Sequence, residues 1–224
     1  ALTAGVETKI LDTVTGIKRR VTAEPMTNYT VGRIQRDLNG GRTVIGGIIT
    51  NTTRFKDSFS DNYLSRSATT GGIDFTRYLG KMNWIIRLRS AFSNITGSEN
   101  AIALTQTSSV HNFARPGAGY LSYNPHRTSM TGTGGSLLAG KLGGNLQILY
   151  FGNWKSPQFE LNDLGYLQIA DRYTGSFIFN YNIYKPKGIF LHNTYSGNFA
   201  HVFDFGGTLQ QLAESVLWNA CYKN

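Results

Sequence analysis

The sequence predicts an all-β protein, an antiparallel up-and-down transmembrane β-barrel with about ten strands in view. Three observations predict it. Short turns at Asn39-Gly40-Gly41, Gly80-Lys81-Met82, Leu142-Gly143-Gly144 and Lys185-Pro186-Lys187-Gly188 alternate with much longer connections. The segments between them alternate apolar and polar residues over about 9–11 positions or more, enough for a tilted strand to cross hydrocarbon, whereas soluble strands average about five or six. No apolar run reaches the roughly eighteen residues of a helical membrane span, so that route is excluded. A mean hydropathy of −0.24 does not oppose a barrel, because only alternate residues need to face lipid.

Strands are expected at about 2–11, 28–38, 42–53, 67–79, 84–92, 129–141, 145–155, 173–184, 188–200 and 208–222. The clearest runs from Tyr173 to Tyr184: Tyr173, Phe177, Phe179, Tyr181 and Ile183 share one face, and Thr174, Ser176, Asn180 and Asn182 share the other. After Lys81, Trp84, Ile86, Leu88 and Phe92 point one way while Arg87 and Arg89 point the other. From Asn145, Leu146, Ile148, Tyr150 and Trp154 oppose Asn145, Gln147, Asn153 and Lys155. This parity makes Arg87, Arg89, Asn180 and Asn182 lumen-facing candidates. Aromatics near strand ends (Tyr78, Trp84 and Tyr184 beside short turns; Tyr29, Trp154 and Tyr173 beside long loops) fit two interfacial girdles.

Long loops are expected at about 12–27, 54–66, 96–128, 156–171 and 200–208. Connections as long as 97–128 are usually functional or folded back. A short helix is expected around Ile102-Ala103-Leu104 through Val110, stopping before Arg115-Pro116-Gly117. Folding over the barrel mouth would make Phe113 and Arg115 a constriction.

Twenty-two Lys and Arg against thirteen Asp and Glu give a net charge of +9. That balance suits anionic lipid, a basic lumen or nucleic acid. Nucleic acid is set aside, because the cations spread over alternate positions of many strands rather than one face with stacking aromatics. Ile17-Lys18-Arg19-Arg20 is a solvated basic cluster open to an anionic partner such as lipopolysaccharide phosphate. Cys221 is single, so no internal disulfide and no thiol–metal site is encoded. His111, His126, His192 and His201 lack metal-ligand spacing, and no cofactor or metal is expected.

No catalytic constellation emerges, and the chain is not expected to be an enzyme. There is no G-x-S-x-G elbow and no phosphate loop. Glu160, Asp163 and Asp171 could pair as glycosidase-like carboxylates, but they lie in a loop rich in turn chemistry and nothing fixes their separation. The spacing of a calcium loop is also absent. They remain candidates for an ion or ligand contact.

Several motifs carry a family resemblance: Pro25-Met26-Thr27-Asn28-Tyr29 with Val31-Gly32-Arg33-Ile34-Gln35; Arg66-Ser67-Ala68 with Gly71-Gly72-Ile73-Asp74-Phe75; Thr105-Gln106 with Phe113-Ala114-Arg115-Pro116; and Glu160 through Leu167 with Ala170-Asp171. In order along nearly the whole chain, they resemble the uncharacterised outer-membrane β-barrel domain of Bacteroidetes-type bacteria. In that family the barrel commonly follows an amino-terminal domain similar to family 9 carbohydrate-binding modules. The resemblance implies a larger barrel, with residues 1–224 a portion of a single barrel domain. The stretch Trp218 to Asn224 lacks the terminal aromatic usual in insertion signals, in line with that expectation.

The function expected is therefore transport, export or surface display in the bacterial outer membrane. Its partners would be the lipid bilayer and lipopolysaccharide, with glycans and other envelope proteins as further candidates. The alternative is a soluble all-β, lectin-like carbohydrate-binding module, whose strands would alternate identically with the faces swapped.

Overall fold

The computed structural model describes residues 1–55, 57 and 60–223. Residues 56, 58 and 59 of the loop expected over 54–66, and residue 224 of the terminal stretch, lie outside them. The described residues form twelve strands: β1 (Leu2–Thr3), β2 (Val6–Leu11), β3 (Lys18–Glu24), β4 (Thr27–Leu38), β5 (Thr43–Arg54), β6 (Ser67–Leu79), β7 (Trp84–Thr96), β8 (Ser129–Lys141), β9 (Leu146–Lys155), β10 (Arg172–Ile183), β11 (Phe190–Phe203) and β12 (Leu209–Tyr222). Ten of them make one antiparallel sheet in the order β1-β4-β5-β6-β7-β8-β9-β10-β11-β12. From β4 onward it is a meander, each strand pairing with the next in sequence. Strands β4 to β12 run 10 to 14 residues, as the alternation required. Among the described residues β12 is not paired with β1 or β4, so the sheet does not close on itself.

One expected strand is corrected. Residues 2–11 do not run through as one element, and 12–27 is not a plain loop. After two residues of β1 the chain leaves the sheet, and β2 pairs with β3 as a separate hairpin. The cause is local. Asp12 Oδ1 accepts from the Val14 and Thr15 amides at 2.9 and 3.1 Å, and Gly16 supplies φ +71°. Together they turn the chain back on itself. The hairpin side chains are mostly exposed, so no core contact draws them into the large sheet.

Register divides the large sheet into two unlike faces. Directly paired residues share a face. One face carries Ile34, Ile45, Ile73, Phe75, Trp84, Ile86, Leu88, Phe92, Ile148, Phe177, Phe179, Tyr195, Phe199 and Trp218. The other carries Arg33, Gln35, Asp74, Thr76, Arg87, Arg89, Ser136, Asn153, Asn180, Asn182, Ser196 and Asn198. Among the described residues, the protein packed on the sheet lies on the polar face, at the long-loop end. There Ala68, Ile95 and Met130, neighbours across β6, β7 and β8, bury Ile102 and Phe113 from the 97–128 loop. Beside them Ala91 of β7 meets Phe159, Leu167 and Ala170 of the 156–171 loop.

Within the first of these loops, helix α1 spans Glu99–Thr107, starting somewhat earlier than expected. Ser98 caps it, its Oγ accepting from the Ala101 amide at 3.1 Å, and Glu99 sits in the first turn where the helix dipole favours a carboxylate. Ile102 is fully buried. Buried Gln106 exchanges two hydrogen bonds with the Asn124 backbone, at 2.9 and 3.0 Å, and so ties the outgoing and returning arms together.

Candidate functional site

On the polar face beneath these loops lies an open cavity of about 810 Å³. Its floor is made of small residues, the cross-strand row Gly72, Ala91 and Gly134. Its walls carry Arg33, Arg87, Arg89 and Lys155 against a single carboxylate, Asp74. Arg33 meets Asp74 at 3.5 Å, and Arg87 Nε donates to Thr76 Oγ1 at 3.3 Å. No carboxylate among the described residues lies within ion-pair distance of Arg87, Arg89 or Lys155. Lys155 also stands directly opposite Arg172 across β9 and β10, a like-charge pair that repels.

Phe159 and Leu161 lean over the cavity from the 156–171 loop. Two glycines of β8 admit this roof. A Cβ on Gly132 would lie 2.2 Å from the Phe159 amide nitrogen, and one on Gly134 would lie 2.4 Å from the Phe159 ring. Only a bare backbone lets the loop sit this low on the sheet.

Three polar clusters lock the roof. His111, fully buried, places Nε2 2.8 Å from Glu160 Oε2 and Nδ1 2.7 Å from the Pro157 carbonyl. A carbonyl cannot donate, so Nδ1 is the donor in that contact. The Asn162 amide donates to Glu160 Oε1 at 2.6 Å, and the Glu160 amide donates to buried Ser93 Oγ on β7 at 2.9 Å. Burial pushes the Glu160 carboxyl up. The hydrogen bond from His111, the backbone donors and the His111 charge outweigh it and hold the carboxyl below its ordinary value.

In the second cluster, Arg115 donates to Asp171 and to Tyr120, and the Tyr120 hydroxyl donates to Asp171 Oδ2 at 2.5 Å. Burial, then the bond to Asp171 and its charge, raise the Tyr120 hydroxyl well above its usual range and keep it a donor. The Phe205 amide donates to Asp171 Oδ1 at 3.0 Å, which brings in the β11–β12 loop. In the third, Asp163 pairs with Arg54 and accepts from Ser65 Oγ at 3.1 Å, joining the β5–β6 loop.

Arg87 and Arg89 thus share one face and line the cavity together. Asn180 and Asn182 share that face on β10, with Asn182 Oδ1 accepting from Thr194 Oγ1 at 3.0 Å. Phe113 is buried in the loop core, and Arg115 lies in the second cluster. Glu160, Asp163 and Asp171 do not converge; His111, Arg54 and Arg115 engage them separately. No group of three or more metal-ligating side chains occurs among the described residues.

Sequence reasoning placed Lys155 on the polar parity but did not single it out, and it missed Asp74, His111, Arg54 and Tyr120. Asp74 had a visible signal, the lone acid of its strand at a polar-parity position just after Gly71-Gly72. The partners of His111 and Arg54 lie 49 and 109 residues away (160 − 111 and 163 − 54), beyond any local pattern.

A family model described as a domain of unknown function (DUF5916) matches residues 1–217. The chain belongs to that family. No curated protein and no solved structure matches it.

Proposed function

Starting from that membership, we propose that the chain is the wall of an outer-membrane β-barrel. Its role is transport, export or surface display, with glycans as candidate cargo. One observation carries the reading: the bare face of the sheet is apolar and aromatic from β4 to β12. Ile34, Ile73, Phe177 and Val216 are 77%, 65%, 52% and 93% exposed, with Trp84, Phe92, Phe179, Tyr195 and Trp218 all exposed too. Soluble monomers rarely expose contiguous apolar patches beyond a few hundred Å², whereas lipid requires such a face.

The charges on that face support the reading. Arg36, Arg77 and Lys141 all sit within a few residues of short turns, where long cations reach the membrane boundary. The exception is Glu214, within β12. In this reading the opposite, polar face lines a lumen, and the interlocked loops narrow its outer mouth.

Fractionating cells that express the full-length protein tests this. Sedimentation with the envelope, release only by detergent and heat-modifiable gel migration are the expected results. Recovery in the supernatant without detergent would contradict the proposal and favour the lectin-like alternative. In liposomes, excising the 97–128 loop should raise permeability, and unchanged permeability would make it external decoration.

A further inference from the structure

The cations in the cavity have a geometry of their own. Arg87 and Arg89 are two residues apart on β7, so their Cα atoms are separated by roughly 7 Å. Lys155 pairs with Gly134, two residues along β8 from Ser136, the partner of Arg89. Two strand spacings and that offset put its Cα roughly 12 Å from that of Arg89. The carboxylate of Asp74 is already engaged by Arg33. Three cations therefore converge on a recess floored by glycine and alanine, which leaves space above the sheet for a ligand.

We propose that this cavity binds an oligoanion, a molecule carrying two or more phosphate or carboxylate groups about 7–12 Å apart. The proposal deepens the transport reading by naming the class of solute. Two features select such a ligand over a neutral one. Unpaired like charges in a partly enclosed groove repel one another until an anion bridges them. The arginine guanidinium also offers a planar fork that matches either oxyanion. Phe159 and Leu161 close one side of the recess and give an apolar wall to the backbone linking the anionic groups. A single monovalent anion would satisfy only one of the three cations.

The test is calorimetric titration of the full-length protein, folded in a non-ionic detergent, with three probes: inorganic tripolyphosphate, trigalacturonate and neutral maltotriose. At least one anion should bind, more weakly as salt is raised, while maltotriose should not. The tighter anion identifies phosphate or carboxylate as the preferred chemistry. R89Q/K155Q should weaken that anion tenfold or more. R36Q/R77Q, which removes the same charge from the opposite face, should leave it unchanged. Heat-modifiable migration checks that every variant is folded, and if R89Q/K155Q is not, R89K/K155R should bind where R89Q alone does not.

Absence of anion binding, equal loss in R36Q/R77Q, or maltotriose binding as tightly as the anions would overturn the proposal. Because the titration needs no membrane, it is separable from the transport reading. Binding without conductance in a planar bilayer leaves the site standing and counts against transport. Conductance without binding does the reverse.

Discussion

Replacing Phe179 by arginine should unfold the sheet from the membrane, while replacing its neighbour Asn180 by arginine should not. Phe179 is exposed on the apolar face of β10, between Ile148 of β9 and Gly197 of β11. Strand β10 runs Arg172–Ile183, so Phe179 lies between one and two residues from its centre. In the proposed barrel, with about 3.4 Å per residue and a tilt of about 45°, that would be roughly 4 Å from the midplane. An arginine at such a depth costs about 2–4 kcal/mol, or roughly thirty- to several-hundred-fold in the folded-to-unfolded ratio. Asn180 points the other way, between Gln147 and Ser196, where an added cation meets a polar surface. The assay is a urea titration of protein refolded into liposomes, read as the folded band on unheated gels. Equal loss in both variants, or no loss in Phe179→Arg, would refute the assignment of faces.

The loop roof yields three further predictions. Phe113→Ala empties a buried site and should cost about 3–5 kcal/mol of loop docking, seen as faster protease cleavage within residues 97–128. Acidification should loosen the same roof. The folded-state pKa of Glu160 is depressed, so its stabilisation is present above the ordinary carboxylate value of 4.5 and is lost as pH falls through the folded value. Protection of the 156–171 amides, corrected for the intrinsic pH dependence of exchange, should therefore fall as the pH drops below 4.5, and Glu160→Gln should abolish that acid step. Gly132→Ala should force the Phe159 backbone off the sheet at a cost of about 1–3 kcal/mol, measured as a lower melting temperature with β6 and β7 exchange unaffected.

Strands from β4 to β12 were legible because each is a run of alternating character whose parity survives the registers of the sheet, except at the two shifts near the ends of the β11–β12 pair. Tyr173 to Ile183 shows why: one face of the strand is mostly aromatic and the other, Ile178 excepted, is amide and hydroxyl, so one register satisfies both best. Residues 2–11 were misread for the complementary reason. Their alternation is shallow, and the decisive information is a side chain, Asp12, accepting from the Val14 and Thr15 amides. The 97–128 helix was visible as an apolar run, yet its partners were not. Ile102 and Phe113 were apolar enough to demand burial, but Ala68, Ile95 and Met130, which bury them, come from three separate strands. The acids of the 156–171 loop stood as candidates for an ion or ligand contact, with nothing in the sequence to fix their separation. The fold spreads Glu160, Asp163 and Asp171 to different partners, His111 and Arg115 of the 97–128 loop and Arg54 of β5.

The central claim is that one face of this sheet meets lipid and the other meets water. Nitroxide labels placed singly at residues 84–92 and 173–183 of the protein in liposomes, in a background with Cys221 replaced by serine, test it most directly. Power-saturation measurements compare collision with oxygen, which concentrates in hydrocarbon, against a water-soluble nickel chelate. The account predicts a period of two in both strands, with oxygen maxima at Trp84, Ile86, Leu88 and Phe92 and at Phe177, Phe179 and Tyr181. Nickel maxima should fall at Arg87, Arg89, Asn180 and Asn182. Strong nickel contact at Phe177 and Phe179, or loss of the alternation, would contradict it.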